Sequence, residues 1–245
     1  MSEERSPGGS RIIRHGSPST PGDATLASGD SDLIAAIDAH LEACFGKAER
    51  SVFHELVSTH VHVDVHRIPP SDDFPIQRLV TSGMAEAPMT LPDGYDETPF
   101  AELTIALPPD WPMSDDAFAD EHFYWPVRLL KGLARLPHEY STFLTDGHTI
   151  PNGDPPRPYA RTTSLCCALI VPPLFSPEEF SRLELEGGRT VRFLGVVPIH
   201  RDEMRLKLDD GSDALYALFN AHNVSDVVDP DRPSVAPKQR RFFGA

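Results

Sequence analysis

Residues 60–89 constrain the fold of this chain more than any other stretch. His60 to Ile68 alternates valines with polar side chains, the period of a strand. Pro69-Pro70-Ser71-Asp72-Asp73 then turns the chain, because proline fixes φ and offers no N–H to a ladder. Ile76 to Ser82 reads as a further strand, and Gly83 follows it, where positive φ is open to glycine. Pro88-Met89 closes the run. Any fold for this chain must therefore contain a sheet. No catalytic signature lies in this stretch.

The remaining elements mix helices and strands. Asp30 or Ser31 can cap a helix with Leu33, Ile34, Ile37, Leu41 and Phe45 on one face and Gly46 as its stop. Val52 to Val57 reads as a strand, and Phe100 to Leu107 alternates like a half-buried one. Trp125-Pro126 is expected to open a helix that Pro137 ends, with Val127, Leu130, Leu133 and Ala134 inward. Thr145 to Arg161 reads as a long loop, and Thr163–Val171 and Thr190–Ile199 as strands. His200 to Leu208 is expected to be a short helix with Met204 and Leu208 inward. Ser212 is expected to cap a last helix ending at Asn223. The fold class is α+β, a mixed β-sheet packed with helices in one domain over 30–235. Residues 1–29, rich in Ser, Gly and Pro, are expected to be a disordered tail, and 236–245 a flexible one.

The formal charge is -15, which argues against nucleic acid as a partner and suits a basic protein. Three cysteines with no CxxC pair fit a reducing compartment. Cys166 and Cys167 sit in the apolar run Leu165–Val171, where strand alternation would send them to opposite faces. No segment has the length of a membrane span, and the N-terminus has no apolar signal core, so a cytoplasmic location is expected. The excess of Arg over Lys matches GC-rich bacterial coding.

His60, His62, Asp64 and His66 are all types that bind zinc. In a regular strand the first and last stand about 20 Å apart, so all four cannot hold one ion. The spacing also departs from the HxHxDH pattern of metallo-β-lactamase-like hydrolases, since Val65 separates Asp64 from His66. No metal, cofactor or catalytic residue is assigned, and GxSxG, Walker and GxGxxG patterns are lacking. Asp110, Asp115, Asp116, Asp120 and Glu121 crowd the segment after Leu107. Together with the loop Thr145–Arg161 they form the candidate partner-binding surface.

Several blocks in order resemble the suppressor of fused (SUFU) family. They are His62–Val65 with Pro69-Pro70, Leu79–Met84 with Pro88-Met89, Ala101–Trp111, and Trp125–Ala134 with Pro137-His138. Gly147–Ile150, the strand before Pro172-Pro173, Phe193–Ile199 with Asp202-Glu203-Met204, and Asp226–Pro233 follow. The resemblance spans residues 50–235. It implies a SUFU-like domain that binds a protein, with no enzymatic activity and no obligatory cofactor. The animal member restrains a transcription factor and carries a further C-terminal region. Bacterial single-domain relatives have been proposed as immunity proteins of polymorphic toxin systems. The implied partner is therefore a basic toxin domain. Alternatives are a metal-dependent hydrolase using the His60/His62/Asp64/His66 strand and a regulatory scaffold that takes a peptide on a sheet edge.

Overall fold

A computed structural model describes residues 4–18, 29–47, 51–54 and 61–237. Its frame is a mixed sheet of β1 (Ser51–Phe53), β2 (Asp64–Ile68), β3 (Gln77–Ser82), β4 (Phe100–Leu107), β5 (Thr149–Pro151), β6 (Cys167–Val171), β7 (Arg182–Glu184) and β8 (Thr190–Ile199). The strand order is β1-β2-β3-β4-β8-β6-β5, with β7 pairing β8 beside β6. All pairings are antiparallel except β4 with β8. Central β8 is buried along nearly its whole length, as a strand covered on both faces must be.

Helices cover both faces. Alternation along β8 sends Leu194 and Val196 toward α3 (Glu121–Glu139) and its Trp125, Leu130 and Leu133. Phe193, one step out of phase, joins Phe180 and Leu33, Ile37 and Leu41 of α1 (Ser31–Phe45). Val197 and Ile199 meet Leu215 and Phe219 of α5 (Ser212–Ala221), which follows α4 (Arg201–Asp210). The result is a helix–sheet–helix stack with apolar packing on each side. α1 starts where Asp30 accepts hydrogen bonds from the amides of Asp32 and Leu33, and it stops at Gly46 with φ 82°.

Two buried glutamates close the frame. Glu102 on β4 accepts Oε1 bonds from the amides of Gly83 (2.8 Å) and Ala85 (3.0 Å), and Thr81 Oγ1 donates to its Oε2 at 2.6 Å. It thereby holds the 3₁₀ turn Met84–Glu86 against the sheet. Gly83 has φ 115°, and a Cβ there would lie 1.8 Å from the carbonyl oxygen of His62, so only glycine fits. Glu203 on α4 takes a two-pronged ion pair from Arg232 at 2.6 and 2.7 Å. It also accepts the amides of His200 at 2.8 Å and Val235 at 3.1 Å. That knot fastens the segment after α5 onto the domain.

The structure corrects several sequence expectations. α3 begins at Glu121, capped by Asp120, so Pro126 and Pro137 both lie inside it. Residues 120–124 carry few apolar cues, and the proline signal moved the expected start inward. Cys166 precedes β6, and both Cys166 and Cys167 pack beneath α5 with sulfurs 3.9 Å apart. Strand alternation does not apply across a strand boundary. The fully buried positions of α4 are Glu203 and Lys207, while Met204 is half-buried. The expected loop Thr145–Arg161 contains β5. Residues 4–18, expected to be free tail, lie on the domain. The Gly8 amide donates to Leu208 O at 2.8 Å, the His15 and Tyr140 rings meet at 5.2 Å, and Ile13 packs on the main core. Ile12-Ile13 supplies the apolar content that a composition average hid. Residues 55–60 and 238–245, including His60, lie outside the described residues.

Candidate functional site: an acidic groove at the start of the long helix

The acidic segment is positioned by tryptophan. Trp111 Nε1 donates to Phe123 O at 3.1 Å, and its ring meets Trp125 edge-on at 6.1 Å. These contacts fix both ends of the stretch between β4 and α3. Within it, α2 (Asp115–Phe118) is a single turn, and Ser114 Oγ accepts the Ala117 amide at 3.2 Å. Asp120 Oδ1 accepts the His122 amide at 2.9 Å and so caps α3. Glu121 forms an ion pair with Arg128 two turns along the helix.

The same residues reach the proline-rich loop. Arg128 Nη2 donates to Tyr159 O at 2.7 Å, and the Tyr159 ring stacks on Trp125 at 5.2 Å and 7°. The His122 ring bonds the Thr162 hydroxyl. A groove of about 870 Å³ results, with Asp120, Glu121 and His122 on one wall and residues 158–162 on the other. Asp120 and Glu121 thus meet the end of the loop they were paired with from sequence. Asp116 is exposed on α2, Asp115 is that turn's first residue, and exposed Asp110 sits in the turn after β4. The five acidic residues do not converge on one point. Two line the groove and the others continue along the same segment. Arg128, which joins the wall to the loop, escaped sequence reasoning. Its Trp-Pro-Val-Arg context carries no sign that it serves a carbonyl 31 residues away.

The histidine-rich strand is built differently. Asp64 places one oxygen 2.9 Å from His54 Nδ1 and the other 3.1 Å from His62 Nε2. His66 Nε2 bonds Ser82 Oγ at 2.8 Å, and Asp38 of α1 stands 4.0 Å from its Nδ1. Both Asp64 oxygens therefore engage imidazoles, and His66 turns to the neighbouring strand. No set of three or more His, Cys, Asp or Glu side chains is arranged to hold a metal among the described residues. His54 was missed because it lies just past β1, and its link to Asp64 depends on the pairing of β1 with β2. No helix among the described residues is long and apolar enough to cross a membrane.

The family model of the suppressor of fused protein matches residues 59–233, well over half of the chain. The chain belongs to the SUFU family. Its blocks from Leu79–Met84 to Asp226–Pro233 all fall within that match. Gly83, Glu102, Glu203 and Arg232 give those blocks a structural reason, since they form the two buried knots. Solved structures of the family share the fold. The SUFU homologue of Neisseria gonorrhoeae FA 1090 superposes with TM-score 0.63 at 18% identity, covering 85% of this chain and 100% of its own. A Sufu–Fu complex gives TM-score 0.58 at 17% identity, covering 83% of this chain and 91% of that one. Drosophila Suppressor of Fused gives TM-score 0.53 at 16% identity, covering 83% of this chain and 51% of the fly protein. This SUFU domain thus spans about half the length of the fly relative. No curated protein matches the sequence.

Proposed function

We propose that this SUFU domain acts by binding a protein at the acidic groove, without turning over a substrate. The observation that carries the reading is the groove itself. Exposed Asp120 and Glu121 are held by a helix cap and an ion pair against a loop stacked on the core. A surface fixed in this way loses little entropy on binding. The chain's overall charge of -15 would steer a basic partner toward the protein. Family membership supports the same reading, since a solved Sufu chain is found in complex with a protein, Fu. We assign the chain as a cytoplasmic bacterial immunity protein that neutralises a basic toxin domain by direct contact.

The test is a pull-down and calorimetric titration against the protein encoded beside this chain's own gene. A stoichiometric complex that silences a toxin activity is the expected result. Turnover of a small molecule by the purified chain, with no such complex, contradicts the reading.

A further inference from the structure

A second cavity, on the opposite end of α3 from the groove, has Lys207 and Arg11 in its lining. It lies between residues 8–15, the segment 142–151 and α4, with a volume of about 590 Å³. That size falls in the range of small-molecule sites. Ile13, Leu136, Phe143, Ile150 and Leu208 form an apolar wall. Lys207, Arg11, His148 and His15 line the rest, with Asp146 as the one carboxylate. In a chain with 37 Asp and Glu against 22 Lys and Arg, a cavity lined by Lys207 and Arg11 with one carboxylate stands apart.

Lys207 is its centre. The residue is 4% exposed, and it belongs to the cavity lining. Burial alone pushes its pKa down. The imidazole of His148 is pushed down to about 4, first by burial and then by the positive charge of Lys207. His148 is therefore neutral near pH 7 and adds no second cation beside Lys207. Desolvating an ammonium on a largely buried side chain costs folding free energy. Its place at the C-terminal end of α4 offsets only a fraction of that cost. A bound anion would supply a counter-charge.

The N-terminal segment completes the cavity. Its placement requires glycine at position 8, since a Cβ there would lie 2.4 Å from the Gly211 nitrogen. Residues 8–15 thus form a fitted wall.

We propose that this cavity binds a small amphipathic carboxylate, with its head on the Lys207 ammonium and its apolar body along the Ile13–Phe143–Ile150 wall. The site is independent of the acidic groove and of the partner proposed there. The shape decides the class: one cationic end and one apolar wall match a carboxylate with a short chain better than a compact, fully hydrated anion.

The test uses the full chain, thermal melts and calorimetry with three probes: octanoate, octanol and inorganic phosphate. Octanoate at roughly 100 times its Kd is expected to raise Tm by about 5–10 °C. Octanol and phosphate are each expected to shift it less. Lys207→Met keeps the volume of the side chain and removes the charge. It is expected to melt at least about 2 °C above the parent without ligand and to lose the octanoate shift. Arg11→Gln keeps Lys207 and is expected to weaken octanoate several-fold. An octanoate shift that survives in Lys207→Met overturns the proposal. So does octanol matching octanoate, phosphate binding without octanoate binding, or no shift with any probe.

Discussion

Glu102 and Glu203 are both fully buried carboxyls, yet their acidities move in opposite directions. Burial raises the Glu102 pKa to about 7, and the Thr81, Gly83 and Ala85 donors only partly offset it. Burial acts on Glu203 in the same sense, but the bonds and charge of Arg232 outweigh it and the pKa falls below the ordinary glutamate value. Neutral donors can orient a buried carboxylate. A paired guanidinium is needed to keep it charged at little cost. The two regions use the same residue type for different ends. The Glu102 region fixes a tight backbone turn under the sheet, and the Glu203 region ties a late segment of chain to the domain.

The largest expected effect breaks the first knot without touching the second. Gly83→Ala puts a Cβ 1.8 Å from His62 O on a backbone with φ 115°. It should cost more than about 4 kcal/mol and lower Tm by roughly 10 °C or prevent folding. A Tm within about 2 °C of the parent would show that the turn is not locked.

Glu203→Gln comes next. It leaves the Arg232 guanidinium without its counter-charge, at a cost of about 3–5 kcal/mol by chemical denaturation near pH 7. The sign with pH follows from the lowered pKa. The stabilisation from Glu203 is present above the ordinary glutamate range and fades as pH falls through its own lower value. The gap between parent and variant should therefore narrow only in acid.

Glu102→Gln sharpens the contrast. With the folded pKa raised to about 7 from an ordinary value of 4.5, the parent loses stability as pH rises between those values and no further above them. The loss amounts to about 3 kcal/mol. The glutamine variant can still accept the Gly83 and Ala85 amides and should lack this dependence. Denaturation midpoints at pH 4.5, 6 and 8 check it. A parent whose stability is flat over that window, or rises, contradicts the Glu102 account.

The frame was legible where local pattern and burial agree. Phe100–Leu107 and Thr190–Ile199 were read from apolar runs and appear as β4 and β8 with those bounds. Asp30 and Gly46 bounded α1 because capping chemistry is local. The knots were not legible. Glu102 and Glu203 look like polar positions of a strand and a helix, and only the contacts with Thr81 and Arg232, 21 and 29 residues away, explain their burial. The inward face of α4 was misjudged for the same reason, since Lys207 and Glu203 are charged. At the acidic segment, composition gave the cluster, but the cap by Asp120 and the tie through Arg128 depend on tertiary placement.

The smallest expected change in stability accompanies the most direct test of function. Asp115, Asp116 and Asp120 are replaced together by Asn, which still caps α3 at position 120, so the melt should stay within about 2 °C of the parent. The quantity to measure is the association rate with the captured partner, at low and at physiological salt. If the acidic groove recruits a basic protein, the parent's rate should fall as salt rises, because screening shortens the reach of the field. The triple variant should associate about tenfold more slowly at low salt and lose most of that salt dependence. An unchanged rate and salt dependence in the triple variant would contradict the assignment of this surface.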